Sequence, residues 1–166
     1  MTNKRRKFER NQPAIRRTVI SSLGRKGGIL HGARAQNAQL PRKLEKPTKD
    51  YDIFVRFPNK RARALEMKLD KLFRGDFFRV KKGKSKIVPV SKVVSNVTDE
   101  SIVDFARPNR KVETKVISGI RVATLRDQKQ RAMKNLTDPN ARFRRVKDRE
   151  FLARVRQFER IRGRRI

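Results

Sequence analysis

An excess of 31 positive charges over 166 residues constrains this chain more than any other feature. Like charges at that density oppose compaction, so the chain needs a strong apolar core, a neighbouring polyanion, or both. Apolar residues make up only 36%, which leaves room for one modest core with part of the chain outside it. The polyanion whose chemistry fits is nucleic acid. Arginine offers forked donors that match phosphate oxygens, and lysine offers a mobile point charge.

Several classes are set aside by what the chain lacks. It has no Cys, which removes disulfides, thiol nucleophiles and Cys-containing zinc sites. No apolar run approaches the roughly 20 residues of a membrane span, so no membrane partner is expected. The basic amino end has no apolar stretch after it of the kind a secretion signal needs. Residues 10–23 place Ile15, Val19, Ile20 and Leu23 on one helical face, with Arg16 and Arg17 elsewhere. Organellar transit peptides share this pattern. An amphipathic helix docked on RNA or on the rest of the domain is the favoured reading. An intracellular site, cytoplasm or organelle matrix, is expected.

Pattern divides the chain into three regions. Residues 1–49 hold fourteen basic and two acidic residues with scattered Gly and Pro, and read as an extended basic arm with one short helix near 13–23. Residues 50–123 read as an α+β core. Ile53, Val55 and Phe57 alternate as in a strand. Asn59 suits a helix cap. Ala62, Leu65, Leu69, Leu72 and Phe73 then recur at helical spacing up to Gly75. Phe77 to Val80 and Ile87 to Val97 read as strands around a basic turn. Thr98 to Ser101 reads as the start of a short helix, with Asp99 and Glu100 in its first turn. Lys111 to Ala123 reads as a fourth strand with a bulge at Gly119. The order strand, helix, strand, strand, helix, strand is the split βαβ arrangement of a small ferredoxin-like body. Residues 124–166 read as basic helices. The last, from about Ala141 to Arg162, carries a stripe of Phe143, Phe151, Leu152, Val155, Phe158 and Ile161 that should cover a core or meet neighbouring proteins.

The candidate nucleic-acid contacts follow this layout. Lys4, Arg5, Arg6, Lys7 and Arg10 form one cluster, which Arg16, Arg17, Arg25, Lys26 and Arg34 extend. Lys81, Lys82, Lys84 and Lys86 crowd a hairpin tip that can lie on phosphates. Arg142, Arg144, Arg145 and Lys147 open the last helix, and Arg164 and Arg165 end the chain. In Ile53-Phe54-Val55-Arg56-Phe57, alternation puts Phe54 and Arg56 on the open face of the sheet, where an aromatic beside a guanidinium can stack a base. This strand resembles the first-strand motif of RNA-recognition-motif domains. The Gly- and aromatic-rich third strand of that family is missing, and the alternative is a Phe54 covered by other elements.

Catalytic inventory is thin. His31 is the single histidine and sits in the Gly-rich stretch Ile29-Leu30-His31-Gly32, where it reads as a contact residue. Tyr51 stands alone. There is no Walker-type loop and no histidine pair. Asp99, Glu100 and Asp104 could form a metal site, but a helix amino end accounts for them. The expectation is therefore a protein without cofactor, metal or catalysis. In composition and build the chain resembles ribosomal proteins in general. That resemblance implies a structural RNA-binding protein of a large ribonucleoprotein, a ribosomal or organellar (mitochondrial) ribosomal protein that neutralises and packs rRNA. A DNA-condensing or virion nucleoprotein is the alternative, with RNA favoured over DNA. A nucleic-acid-processing enzyme is the third class.

Overall fold

Seven strands form one mixed sheet in the computed structural model, which describes residues 3–25, 27–84, 88–163 and 166. The strands are β1 (Ile29–His31), β2 (Tyr51–Phe54), β3 (Phe78–Lys82), β4 (Val90–Ser95), β5 (Ser101–Ala106), β6 (Thr114–Ile117) and β7 (Ile120–Ala123). Their spatial order is β3-β4-β5-β2-β1-β7-β6. β1 pairs antiparallel with β2 and parallel with β7, and β2 pairs parallel with β5. Six α-helices accompany the sheet: α1 (Asn3–Arg10), α2 (Gln12–Arg25), α3 (Gly32–Asn37), α4 (Pro58–Phe73), α5 (Leu125–Thr137) and α6 (Arg145–Arg162). The fold is α+β, but it is not the small four-stranded ferredoxin-like body expected from the strand order.

Two misread segments account for the difference. The first 49 residues do not form an extended arm. Phe8, Ile15, Val19 and Leu23 recur at helical spacing along α1 and α2, and all four are buried in the main core with Leu65, Leu69 and Phe73 of α4 and Ile53, Val93, Val103 and Phe105 of the sheet. Phe8 is 4% exposed, with its ring 6.5 Å from Phe73 and 6.1 Å from Phe78. Their basic neighbours hide this stripe in composition. The same region supplies β1, which inserts between β2 and β7.

The second misreading is Thr98 to Ala106. The carboxylates near its start suggest a helix, yet Ser101–Ala106 is the central strand β5. Ile102, Val103, Phe105 and Ala106 are buried, as in a strand covered on both faces. Residues 95–99 form the connecting turn. Ser95 Oγ accepts from the amides of Val97 (3.0 Å) and Thr98 (3.2 Å), and Asp99 takes a left-handed φ of 58°. Likewise the stretch from Lys111 is a β6–β7 hairpin. Ser118 and Gly119 both have positive φ, as a two-residue type I′ turn requires, so Gly119 marks a turn and not a bulge.

α4 begins with Phe57 at the cap position and Pro58 at the first helical position, where a missing N–H costs nothing. It ends on Arg74 in the left-handed conformation, one residue before the expected glycine. A second apolar cluster joins Leu40 and Leu44 to Leu125, Ala132, Phe151 and Val155 of α5 and α6. The expected last helix is broken: Pro139–Arg144 is a 3-10 segment, capped by Asp138 accepting from the Asn140 amide, and α6 follows it.

Candidate functional site

Alternation along β2 sends Tyr51 and Ile53 into the main core and Asp52 and Phe54 to the opposite face. Register then builds a polar row across four strands. Lys92 of β4 lies opposite Asp104 of β5, Asp104 opposite Asp52 of β2, and Asp52 opposite His31 of β1. Asp50, two residues before Asp52, joins the row. One carboxylate oxygen from each of Asp50, Asp52 and Asp104 lies within 4.8 Å of the others.

Each carboxylate is positioned by its own contacts. Arg34 of α3 stacks its guanidinium on the Tyr51 ring at 3.9 Å. It donates to the carbonyls of Asp50 (2.8 Å), Lys49 (2.9 Å) and Thr48 (3.3 Å), fixing the backbone that leads into β2. Thr48 Oγ1 donates to Asp50 at 3.3 Å. Asp104 accepts from Lys92 Nζ at 2.5 Å and from Ser101 Oγ. Gly32 follows His31 with a φ of 69°, and a Cβ there would stand 2.0 Å from Asp52 Oδ2. Only glycine fits both the conformation and the space that Asp52 takes.

Electrostatics mark Asp52 as the centre. Burial, followed by the charges of Asp50 and Asp104, pushes its pKa up to about 6, against the opposing pull of Arg144 and Arg131. Beside it, His31 is 8% exposed and stacked on Phe54 at 3.6 Å, with no hydrogen-bond partner on either ring nitrogen among the described residues. Burial, then the charges of Arg131 and Arg144, holds its pKa well below the usual histidine value, so the ring is neutral. Arg131 of α5 lies over the other side of this group, 5.5 Å from the Phe54 ring. Burial and the nearby Arg144 lower its pKa to about 10. Three carboxylates, a neutral imidazole and the Arg131 guanidinium therefore share one small area of sheet, with the charge of Arg144 acting on Asp52, His31 and Arg131.

The predicted contacts distribute unevenly around this site. Phe54 is not an open stacking platform: it is 8% exposed under His31 and Arg131. Arg56 is exposed, over the Phe57 ring. Arg34 is a structural clamp. Arg144 and His31 reach the site, and Arg142, Arg145 and Lys147 adjoin it in sequence. Lys4, Arg5, Arg6, Lys7 and Arg10 lie on exposed turns of α1, where Lys7 Nζ also donates to the Phe73 carbonyl at 2.6 Å. Arg16 and Arg17 are exposed on α2. Lys81 and Lys82 end β3, where Lys81 pairs with Asp99 at 2.8 Å, and Lys84 is exposed beyond them. Lys26, Lys86, Arg164 and Arg165 lie outside the described residues, as does the side chain of Arg25. Asp104 belongs with Asp50 and Asp52, not with Asp99 and Glu100. The available signal was Asp50-Tyr51-Asp52, two carboxylates at strand spacing that must share a face.

No protein-family model matches the sequence, and no curated protein sequence matches it. Solved structures do. The crystal structure of the Megavirus polyadenylate synthase superposes with a TM-score of 0.68 at 14% identity, over 88% of this chain and 31% of that one. JHP933 from Helicobacter pylori matches with a TM-score of 0.44 at 13% identity, over 80% of this chain and 58% of that one. The chain thus spans about a third of the length of the polyadenylate synthase whose fold it shares. This fold overturns the expectation of a non-catalytic ribosomal or mitochondrial ribosomal protein, and with it the genome-coating alternative. Both stood on an arm-and-body build that the molecule does not have. In its place is a fold shared with the polyadenylate synthase, with three carboxylates converging on one face of the sheet.

Proposed function

We propose that this chain is a nucleotidyltransferase: it transfers a nucleotide from a nucleoside triphosphate to a hydroxyl of a nucleic-acid acceptor. The observation that carries the reading is the convergence of Asp50, Asp52 and Asp104, on a fold shared with a polyadenylate synthase. The whole donor set is carboxylate oxygen, which suits hard divalent cations such as Mg2+ or Mn2+. Burial first, and then the neighbouring charges of Asp50 and Asp104, raise the Asp52 pKa, and a bound cation would offset both. These three residues would hold the metal, which when bound neutralises charge on the attacked phosphoryl group and favours ionisation of the attacking hydroxyl.

The chain's own residues have defined parts. Asp52, ionised above about pH 6, would be the central ligand, and Asp104, held by Lys92, would be a second. Arg131 and Arg144 offer guanidinium forks to phosphate oxygens beside the carboxylates. The His31–Phe54 stack gives them a rigid, water-poor floor, where such contacts are stronger than in water. In the reaction a bond forms between the acceptor oxygen and the α-phosphorus. The bond from that phosphorus to the bridging oxygen breaks, pyrophosphate leaves with the electron pair, and the hydroxyl proton is lost. The basic surface supports a nucleic-acid acceptor, because single strands are held mainly through phosphate neutralisation and stacking.

The test uses the full chain with labelled nucleoside triphosphates, Mg2+ or Mn2+, and a single-stranded oligonucleotide. Lengthened product with pyrophosphate release is expected, and Asp52→Asn and Asp104→Asn should abolish both. Lack of incorporation from every common nucleoside triphosphate with either metal refutes the assignment.

A further inference from the structure

The segment joining α5 to α6 displays an aromatic ring that nothing covers. Three-residue spacing in the 3-10 segment puts Asn140 and Phe143 outward together, Val146 is exposed in the first turn of α6, and Ala141 turns inward and is fully buried. Phe143 is 64% exposed and Val146 69%. A large apolar surface left in water is informative only when something else marks its partner. Here charge does. Arg142, Arg144, Arg145, Lys147 and Arg149 crowd residues 142–149, and the one acidic residue among them, Asp148, is buried and committed to Asn135 (2.9 Å) and Arg144 (3.5 Å). Arg142, Lys147 and Arg149 are exposed, and the buried Nε of Arg145 has no hydrogen-bond partner among the described residues.

We propose that this junction is the docking track for a single-stranded polynucleotide, with a base stacked on Phe143 and its phosphates on Arg142, Arg145 and Lys147. An aromatic face beside several cations suits a strand whose bases are unstacked and whose backbone is charged. A protein partner would find the same ring, but it would have to desolvate the surrounding cations. The identity of the strand as the acceptor of transfer rests on the function proposed above. The docking itself does not.

Binding is therefore measured without catalysis, by fluorescence anisotropy of a labelled single-stranded oligonucleotide in EDTA. Phe143→Ala should weaken binding about tenfold and leave its salt dependence unchanged, whereas Phe143→Trp should retain it. Replacing Arg142, Arg145 and Lys147 together with Gln should lower the slope of log affinity against log salt by about 2. Wild-type affinity in Phe143→Ala, with its melting temperature preserved, overturns the track whatever the transfer assay shows. Phe143-dependent binding without any transfer leaves the track standing and overturns the enzymatic assignment instead. A wild-type dimer that Phe143→Ala dissociates, at unchanged oligonucleotide affinity, assigns the patch to a second copy of the chain and refutes the proposal.

Discussion

Asp52 carries opposite burdens in folding and in function. Its folded-state pKa of about 6 stands above the ordinary aspartate value of 3.8. The folded state therefore binds its proton more tightly than the unfolded state, and the ionised carboxylate is a penalty on folding. That penalty is absent below about pH 4, grows as the pH rises from 4 to 6, and is complete above. Asp52→Asn should stabilise the metal-free protein at pH 7.5 by up to about 3 kcal/mol and leave it unchanged at pH 4. Urea denaturation at the two pH values checks this. The same linkage has a second consequence. Divalent-cation affinity, followed by calorimetry, should fall as the pH drops through 6, because the metal and the proton compete for one oxygen.

At the scale of elements, α3 and the start of β2 act as one part. Arg34 reaches three successive carbonyls and the Tyr51 ring, so it holds Asp50 and Asp52 in place without touching a ligand. Arg34→Met should lower Mn2+ affinity about 10- to 100-fold, while Arg34→Lys, which keeps charge but loses the planar fork, should recover little of it. Calorimetry on the folded variants separates this from a loss of fold. α1 is the other testable element. Phe8→Ala should cost about 3–5 kcal/mol in chemical denaturation, because its ring is buried against those of Phe73 and Phe78. An exposed arm would show no change.

These elements also show what the sequence disclosed. The β2 strand, the α4 helix with its buried Leu65 and Leu69, and the β3–β4 hairpin were legible, because each has a clean period of two or 3.6 and strong punctuation. The α2 helix was legible too, from the shared face of Ile15, Val19 and Leu23; α1 was not, since its one buried apolar residue, Phe8, stands among cations that imitate a disordered tail. β5 was not, because a strand buried on both faces loses its alternation while its preceding turn uses residues that also start helices. Of the site, the surplus of cations was visible but the carboxylates were not. Asp104 is 52 residues from Asp52, and only the parallel β2–β5 pairing brings them level.

For the whole molecule, the net charge is +31, and most of the described cations sit on helices and strands of a folded body. Most exposed ion pairs, such as Arg5 with Glu9 or Lys49 with Glu100, offset little of it. The free protein should therefore be limited by self-repulsion. Its melting temperature should rise by several degrees as NaCl increases from 20 to 300 mM, because the Debye length shrinks from roughly 20 Å to below 10 Å. A single-stranded oligonucleotide at low salt should give the same stabilisation at micromolar concentration. A melting temperature that falls with salt would mean that attractive pairs outweigh the repulsion.

The polar row from Lys92 through Asp104 and Asp52 to His31 spans four adjacent strands, and its members meet only because all four are in step. A single codon inserted within any of these strands would turn that strand's contribution to the far side of the sheet, among the leucines and phenylalanines. The loops between them can lengthen or shorten freely. Descendants of this chain should therefore vary in length at their turns while the spacing within these four strands stays frozen.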